Sequence, residues 1–242
     1  MEKRSRIIRL PETGVTPDLP VIARDVTACE RCPRLRAYSA EIARVKRKGR
    51  LGETYWGRPV PGFGDPEPWL LIVGLAPGAH GSNRTGRMFT GDRSGVWLFR
   101  ELHRQGIASS PNANSADDGL VLRGAYITAA ARCAPPDNKP TMVELDHCRE
   151  YLIREMALLQ SVRVRLALGR IAFDALLKAR RELGLPALKP RPEFAHGAAA
   201  PLPEGGFLLS SYHPSQQNTS TGKLTDAMWR GVFDKAVALA GP

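Results

Sequence analysis

No apolar run in this chain is long enough to cross a bilayer: the stretch from Trp69 to Leu75 falls far short of the ~20 residues a spanning helix needs. The first residues mix Glu2 with Lys3, Arg4, Arg6 and Arg9 and lack the apolar core of a secretory signal, so the expected setting is the cytoplasm, with no membrane partner. Acidic residues are in short supply, 24 Asp and Glu against 35 Lys and Arg, which leaves a formal charge of +11. That balance suits a polyanionic partner, although a merely soluble basic protein satisfies it equally well. Internal repeats and heptads are missing, as are a Walker A loop and a dinucleotide fingerprint.

What is there is an alternation. Four short apolar segments read as buried strands, at Trp69–Gly74, Ala125–Ala130, Val164–Leu168 and Phe207–Ser211. Helical spacing separates or follows them at Gly95–Gln105, Thr141–Gln160, Ile171–Leu183 and Thr225–Ala240. Strands and helices in this order predict an α/β fold: a three-layer single domain, with a four-stranded parallel sheet flanked by helices, over residues 29–242. Residues 1–28 read as an N-terminal extension. Ligands of such sheets bind beyond the carboxyl ends of the strands, which directs attention to the loops starting near Leu75, Ala131, Gly169 and Tyr212.

Cysteine is scarce, and its placement is informative. Cys29 and Cys32 share a two-residue gap, and Cys133 and Cys148 lie a hundred residues on in polar, turn-rich surroundings. In a reducing compartment a tetrathiolate metal site is favoured over disulfides. Four thiolates suit zinc or a four-iron cluster, and spacing alone does not choose between them.

The loop after the first strand, Gly74 to Gly95, is dense in glycine, so its backbone can approach a ligand closely and present amide N–H groups. Phe89 within it suits either stacking on a planar ligand or anchoring the core. The loop after the last strand begins His213-Pro214-Ser215, placing a histidine at a strand's carboxyl end, where it serves either chemistry or a turn.

Gly74-Leu75-Ala76-Pro77-Gly78-Ala79-His80-Gly81, Thr85-Gly86-Arg87-Met88-Phe89-Thr90-Gly91 and His213-Pro214-Ser215 together resemble the motifs of the uracil-DNA glycosylase superfamily. The four cysteines match the cluster ligands of its iron–sulfur-containing family 5 in order and approximate spacing. The resemblance implies a structural [4Fe–4S] cluster on Cys29, Cys32, Cys133 and Cys148. It further implies a monomeric, monofunctional hydrolase that flips a damaged base out of DNA and cuts its N-glycosidic bond, leaving an abasic site. In that reading His213 stabilises charge on the departing base and Phe89 stacks under it. The backbone of Ala76, Pro77, Gly78 and Ala79, with His80, supports the pocket. Ser215, Lys223, Arg84 and Arg87 grip phosphates.

The acidic residue that relatives carry in the first motif is absent here, where Leu75 and Ala76 stand. Asn83 is therefore nominated to orient water, with Asn138 and Asn218 as further polar pocket groups; each also suits a loop asparagine bonded to its own backbone. Leu224 is the candidate wedge into the duplex. Ala129, Ala130 and Ala131 replace a base-reading asparagine, which predicts acceptance of uracil and of other deaminated bases such as hypoxanthine.

Overall fold

The computed structural model describes residues 18–241. Two helices come first, α1 (Leu19–Thr27) and α2 (Pro33–Val45), followed by a 3₁₀ turn at Lys48–Arg50. Next are β1 (Phe63–Gly64), β2 (Leu70–Gly74), the single turn α3 (Ser82–Thr85) and α4 (Arg93–Arg104). β3 (Ala125–Ala129) leads to α5 (Met142–Leu158), β4 (Val164–Leu168) to α6 (Arg170–Glu182), and the short β5 (Ala199–Pro201) to β6 (Phe207–Ser211). α7 (Gln216–Ser220) and α8 (Asp226–Ala240) close the fold.

The sheet has six strands in the order β1-β3-β2-β4-β6-β5, not the four expected. The four expected strands form its parallel centre, and the two additions pair antiparallel at its edges. β1 and β5 span two and three residues, too short to show a period of two in sequence. The central strands are covered on both faces, hence their unbroken apolar runs. Leu70 and Ile72 point to a core shared with Phe99 of α4 and Trp229 and Phe233 of α8. Leu71 and Val73 point the other way, toward Leu152 of α5 and Phe173 and Leu176 of α6. α1 packs Ile22 and Val26 against Tyr151 of α5. The boundary drawn at residue 28 thus falls just after a helix packed on the domain, and residues 1–17 of the extension lie outside the described residues.

Helix starts follow local chemistry. Asp92, Thr141 and Thr225 cap α4, α5 and α8 by accepting from the backbone N–H of Gly95, Glu144 and Met228, and Glu144 completes a capping box at Thr141.

One buried ion pair joins β3 to α5. Arg132, 1% exposed, donates to the Glu155 carboxylate, 0% exposed, at 2.6 Å, and the same carboxylate accepts from Thr128 Oγ1 at 2.8 Å and the Tyr126 hydroxyl at 3.4 Å. Removing one partner strands a charge in the interior. Glu155→Leu is expected to cost about 3–5 kcal/mol in denaturant unfolding, and the double change with Arg132→Met to recover most of it.

Candidate active site

A cavity of about 660 Å³ opens where the loops following β2, β3, β4 and β6 converge, at the carboxyl end of the parallel strands. Leu75, Ala76 and Gly78 line it from the loop after β2, and Asp137 and Asn138 from the loop after β3. Gly169 and Arg170 contribute from the start of α6, and His213 and Ser215 from the loop after β6. The site anticipated from topology is therefore the site observed.

Phe89 and His213 face each other across this cavity, ring centroids 5.8 Å apart and stacked at 26°. Phe89 holds a left-handed backbone (φ 54°), a conformation a non-glycine residue keeps only when its surroundings enforce it. Two glycines make room for it: a Cβ on Gly74 would lie 2.8 Å from the Phe89 ring, and one on Gly95 would lie 1.7 Å from its carbonyl oxygen.

His213 borders the cavity but is otherwise walled in by protein, and this loss of hydration pushes its pKa down to about 4. The ring is neutral at pH 7 and has one N–H to donate. Its backbone is fixed from both sides. Asn218 Nδ2 donates to the His213 carbonyl at 2.8 Å. On the preceding residue, the Tyr212 N–H donates to His196 Nδ1 at 3.2 Å. The other nitrogen of His196 then donates to the Met228 carbonyl at 3.3 Å, which ties the His213 strand end to α8.

Several anticipated residues do other work. Asn83 is completely buried and does not border the cavity; its amide donates to the Ser39 carbonyl at 3.2 Å and the Ala79 carbonyl at 3.4 Å, so it braces α2 against the glycine-rich loop and orients no water in the cavity. Arg84 is spent on the Glu53 carboxylate (2.7 Å) and the carbonyls of His80 and Gly91. Arg87 grips Asp118 with two bonds of 2.8 Å. Both guanidiniums are buried and neutralised, and neither is available to a phosphate. His80 meets the Tyr55 hydroxyl at 3.3 Å away from the cavity, and Pro77 and Ala79 also stand off its wall. Asn218 positions His213 instead of lining the pocket. Ser215 borders the cavity, with its hydroxyl capping α7 through the Asn218 N–H. Lys223 is exposed, its ammonium 5.0 Å above the Tyr212 ring. Leu224 is 0% exposed and cannot leave the core to enter a duplex.

Asp92 escaped the sequence reading. Its carboxylate lines the cavity while capping α4, and burial pushes its pKa up, opposed by N–H donation from Gly95 and Ser94. Only hydrogen could fit at Gly81, where a Cβ would lie 2.2 Å from Asp92 Oδ2. The available signal was an N-cap aspartate directly after the glycine run, which marks a helix start without marking chemistry.

The four cysteines gather from three segments on the α5 side of the β3 end. Cys32 and Cys133 share a small buried cluster with Leu35, and Cys148 acts electrostatically on both of their thiols. Burial pushes Cys32 up to about 11 and Cys133 up to about 12. The Arg132 N–H donates to Cys148, and two of the Arg132 guanidinium nitrogens, Nε and Nη1, have no hydrogen-bond partner. An all-sulfur donor set beside a buried, incompletely paired cation fits an anionic thiolate centre. Among the described residues, no group of three or more His, Cys, Asp or Glu side chains is arranged to hold a single metal ion.

Desolvation of His213 has a direct readout. Its imidazole NMR signals are expected to hold their neutral positions from about pH 7.5 to about pH 5 and to move only near pH 4, well below an ordinary histidine. The unfolded chain takes up this proton near pH 6.5, so His213 makes the fold lose stability as pH falls from there to about 4.

Comparison with known proteins agrees with this geometry. The family model of the uracil DNA glycosylase superfamily matches residues 61–236. A type-5 uracil-DNA glycosylase of Thermus thermophilus is 54% identical over 93% of this chain and 99% of its own length. One from Mycobacterium leprae is 47% identical over 95% and 99%, and one from Pyrobaculum aerophilum is 43% identical over 88% and 89%. With the motif loops, the cavity and these relatives in register over most of its length, the chain belongs to the uracil DNA glycosylase superfamily, in the type-5 group.

Proposed function

We propose that this protein is a monofunctional DNA glycosylase that hydrolyses the N-glycosidic bond of uracil and of other deaminated bases, including hypoxanthine, and leaves an abasic site. It acts as a monomer, in the cytoplasm. The observation that carries the proposal is the dehydrated, neutral His213 facing Phe89 across a cavity at the carboxyl ends of the strands, in a chain whose relatives bear this activity in their names.

A base stacked in a duplex cannot reach such a cavity, so the nucleotide must rotate out of the helix. Phe89 offers its ring to the flipped base. As the glycosidic bond lengthens, the sugar turns cationic and negative charge collects on the base oxygen. A fixed N–H donor in a water-poor site stabilises that charge without having to reorient. His213 supplies it, and the low pKa ensures that it donates a hydrogen bond without handing over a proton. Asp92 replaces Asn83 as the water-orienting group. Its carboxylate also opposes the positive charge of the sugar, and no more than weak basicity is required once that cation has largely formed. Among the described residues the cavity lining contains no lysine, so none of them offers an amine for a Schiff base with the sugar, in keeping with hydrolysis alone. At about 660 Å³ the cavity has room for a purine, which supports the broad substrate range.

We also propose that Cys29, Cys32, Cys133 and Cys148 hold a [4Fe–4S] cluster. The support is chemical: an all-thiolate donor set gathered beside Arg132, whose guanidinium keeps two unpaired nitrogens, suits an anionic thiolate centre. When bound, the cluster supplies structural cross-linking of α2, β3 and α5, and no step at His213 runs through it.

Oligonucleotides carrying uracil or hypoxanthine, heated in alkali after incubation, test the activity. Strand scission is expected with both. His213→Ala should lower single-turnover rates by about 10²–10³-fold. Asp92→Asn, which keeps the helix cap, should lower them by at least about 10²-fold, and wild-type rates in either variant would remove that residue from the mechanism. Protein purified without oxygen is expected to be brown, with iron and sulfide in equal amounts and little zinc, and Cys133→Ser to lose both together with its resistance to unfolding.

A further inference from the structure

We infer that the loop from Lys46 to Gly52 is the element that probes the duplex, with Leu51 entering the base stack while Arg47 and Lys48 hold the flanking phosphates. The inference rests on DNA being the substrate and identifies how this chain engages it.

Leu51 is 62% exposed, a large apolar side chain at the tip of an otherwise polar loop. Gly49 and Gly52 stand on either side, and a Cβ at either would have nothing within 4 Å, so the tip projects clear of the protein. The loop is nevertheless preformed. Lys46 sits at φ 61° and its ammonium donates to the Leu51 carbonyl at 3.1 Å, closing the loop on itself. The Arg50 N–H donates to the Arg47 carbonyl at 2.8 Å, and the Arg50 guanidinium pairs with Glu53. A tip that is both rigid and unpacked loses little freedom when it enters a partner.

The loop is tied to the glycine-rich loop. Glu53 bridges Arg50 to Arg84 of that loop, and the Trp56 and Gly57 N–H groups donate to the carbonyls of Arg84 and Asn83. The same glycine-rich loop supplies Ala76 and Gly78 to the cavity wall. Arg84 and Arg87 are consumed internally, whereas Arg47 and Lys48 are exposed and paired with no carboxylate among the described residues. Apolar side chains that enter a base step, flanked by cations on the phosphates, are how proteins compensate for an unstacked base. An exposed aromatic nearby, Trp56, is pinned by its Nε1–H on the Pro59 carbonyl and by its ring against Gly86.

The test compares Leu51→Ala with wild type on the same uracil oligonucleotide as a single strand and paired opposite guanine. Loss of about tenfold or more on the duplex, with single-strand excision kept within about twofold, is expected, because only the duplex needs its vacated stack filled. Leu51→Phe should restore the duplex rate. Flipping is read separately from chemistry by 2-aminopurine fluorescence beside uracil in duplexes bound to His213→Ala protein. Adding Leu51→Ala should abolish the fluorescence rise even if no base is ever released. The double change Arg47→Gln with Lys48→Gln should reduce the slope of log affinity against log salt by about two. Unchanged duplex excision and fluorescence in Leu51→Ala, or equal loss on both substrates, would overturn the inference.

Discussion

The pair between Arg132 and Glu155 is the constraint on which the two working regions of this molecule depend. It lies where β3 ends, and it is the link between the parallel sheet and the helix that carries Cys148. One residue past Arg132 the chain supplies Cys133, and five residues further it lines the cavity with Asn138. A rotation of α5 on the sheet would therefore disturb the thiolate centre and the loop after β3 together. A buried ion pair is poor evidence of stability but good evidence of registry, since an alternative packing strands both charges. Glu155 is satisfied three times over, while Arg132 keeps unpaired nitrogens next to Cys148. The pair is neutral in sum, but it leaves two buried N–H donors of Arg132 unanswered by the protein, and the Arg132 backbone N–H already donates to Cys148.

At the opposite wall of the cavity the constraint is steric. Phe89 is held in a conformation its backbone resists, and only glycine at positions 74 and 95 leaves space for it. The reward is a ring stacked against His213, which burial cuts off from most of its hydration. That same dryness takes the positive charge off His213, which would otherwise be partly protonated near neutrality. A cationic imidazole would bind the ground-state base more tightly, yet a neutral donor concentrates its benefit at the moment when the base becomes anionic. Strain in one loop and an unfavourable environment for a histidine in another are thus two halves of the same arrangement. The fold carries both because six strands and two layers of helices surround them.

How much of this was legible in the sequence depended on whether the determining contact was local. Strands buried on both faces write themselves as apolar runs, and caps such as Thr141 and Asp92 mark helix starts within a few residues, so the central sheet and its covering helices could be read directly. β1 and β5 could not, being two and three residues long with Pro201 in one of them. His213 follows the end of β6 within a motif, and the structure places it on the cavity wall with Phe89 and Asn138. Arg84 and Arg87 do other work for a single reason: their partners Glu53 and Asp118 each lie 31 residues away, and nothing in the local pattern shows that a charged group is already paired; Asn83 donates to Ser39, 44 residues away, while its Oδ1 has no partner. Asp92 was hidden by the reverse effect, since a complete local explanation as a helix cap masked its place in the cavity.

The same distinction governs how the positive charge should be read. A formal charge of +11 suggests a surface rich in anion-binding groups, yet Arg84 and Arg87 within the motif loop are committed to carboxylates and carbonyls inside the protein. Long-range attraction depends on the sum and is indifferent to such pairing, so the whole excess can steer the protein toward a polyanion. Contact with particular phosphates needs guanidinium or ammonium groups that are exposed and unneutralised, and Arg84 and Arg87 inside the motif loop are not such groups, whereas Arg47 and Lys48 in the basic run before it are. Arg84 and Arg87 shape the glycine-rich loop, and Arg47 and Lys48 are exposed with no carboxylate partner among the described residues. Charge buried in the motif loop builds the pocket, and charge left outside it brings the DNA to the pocket.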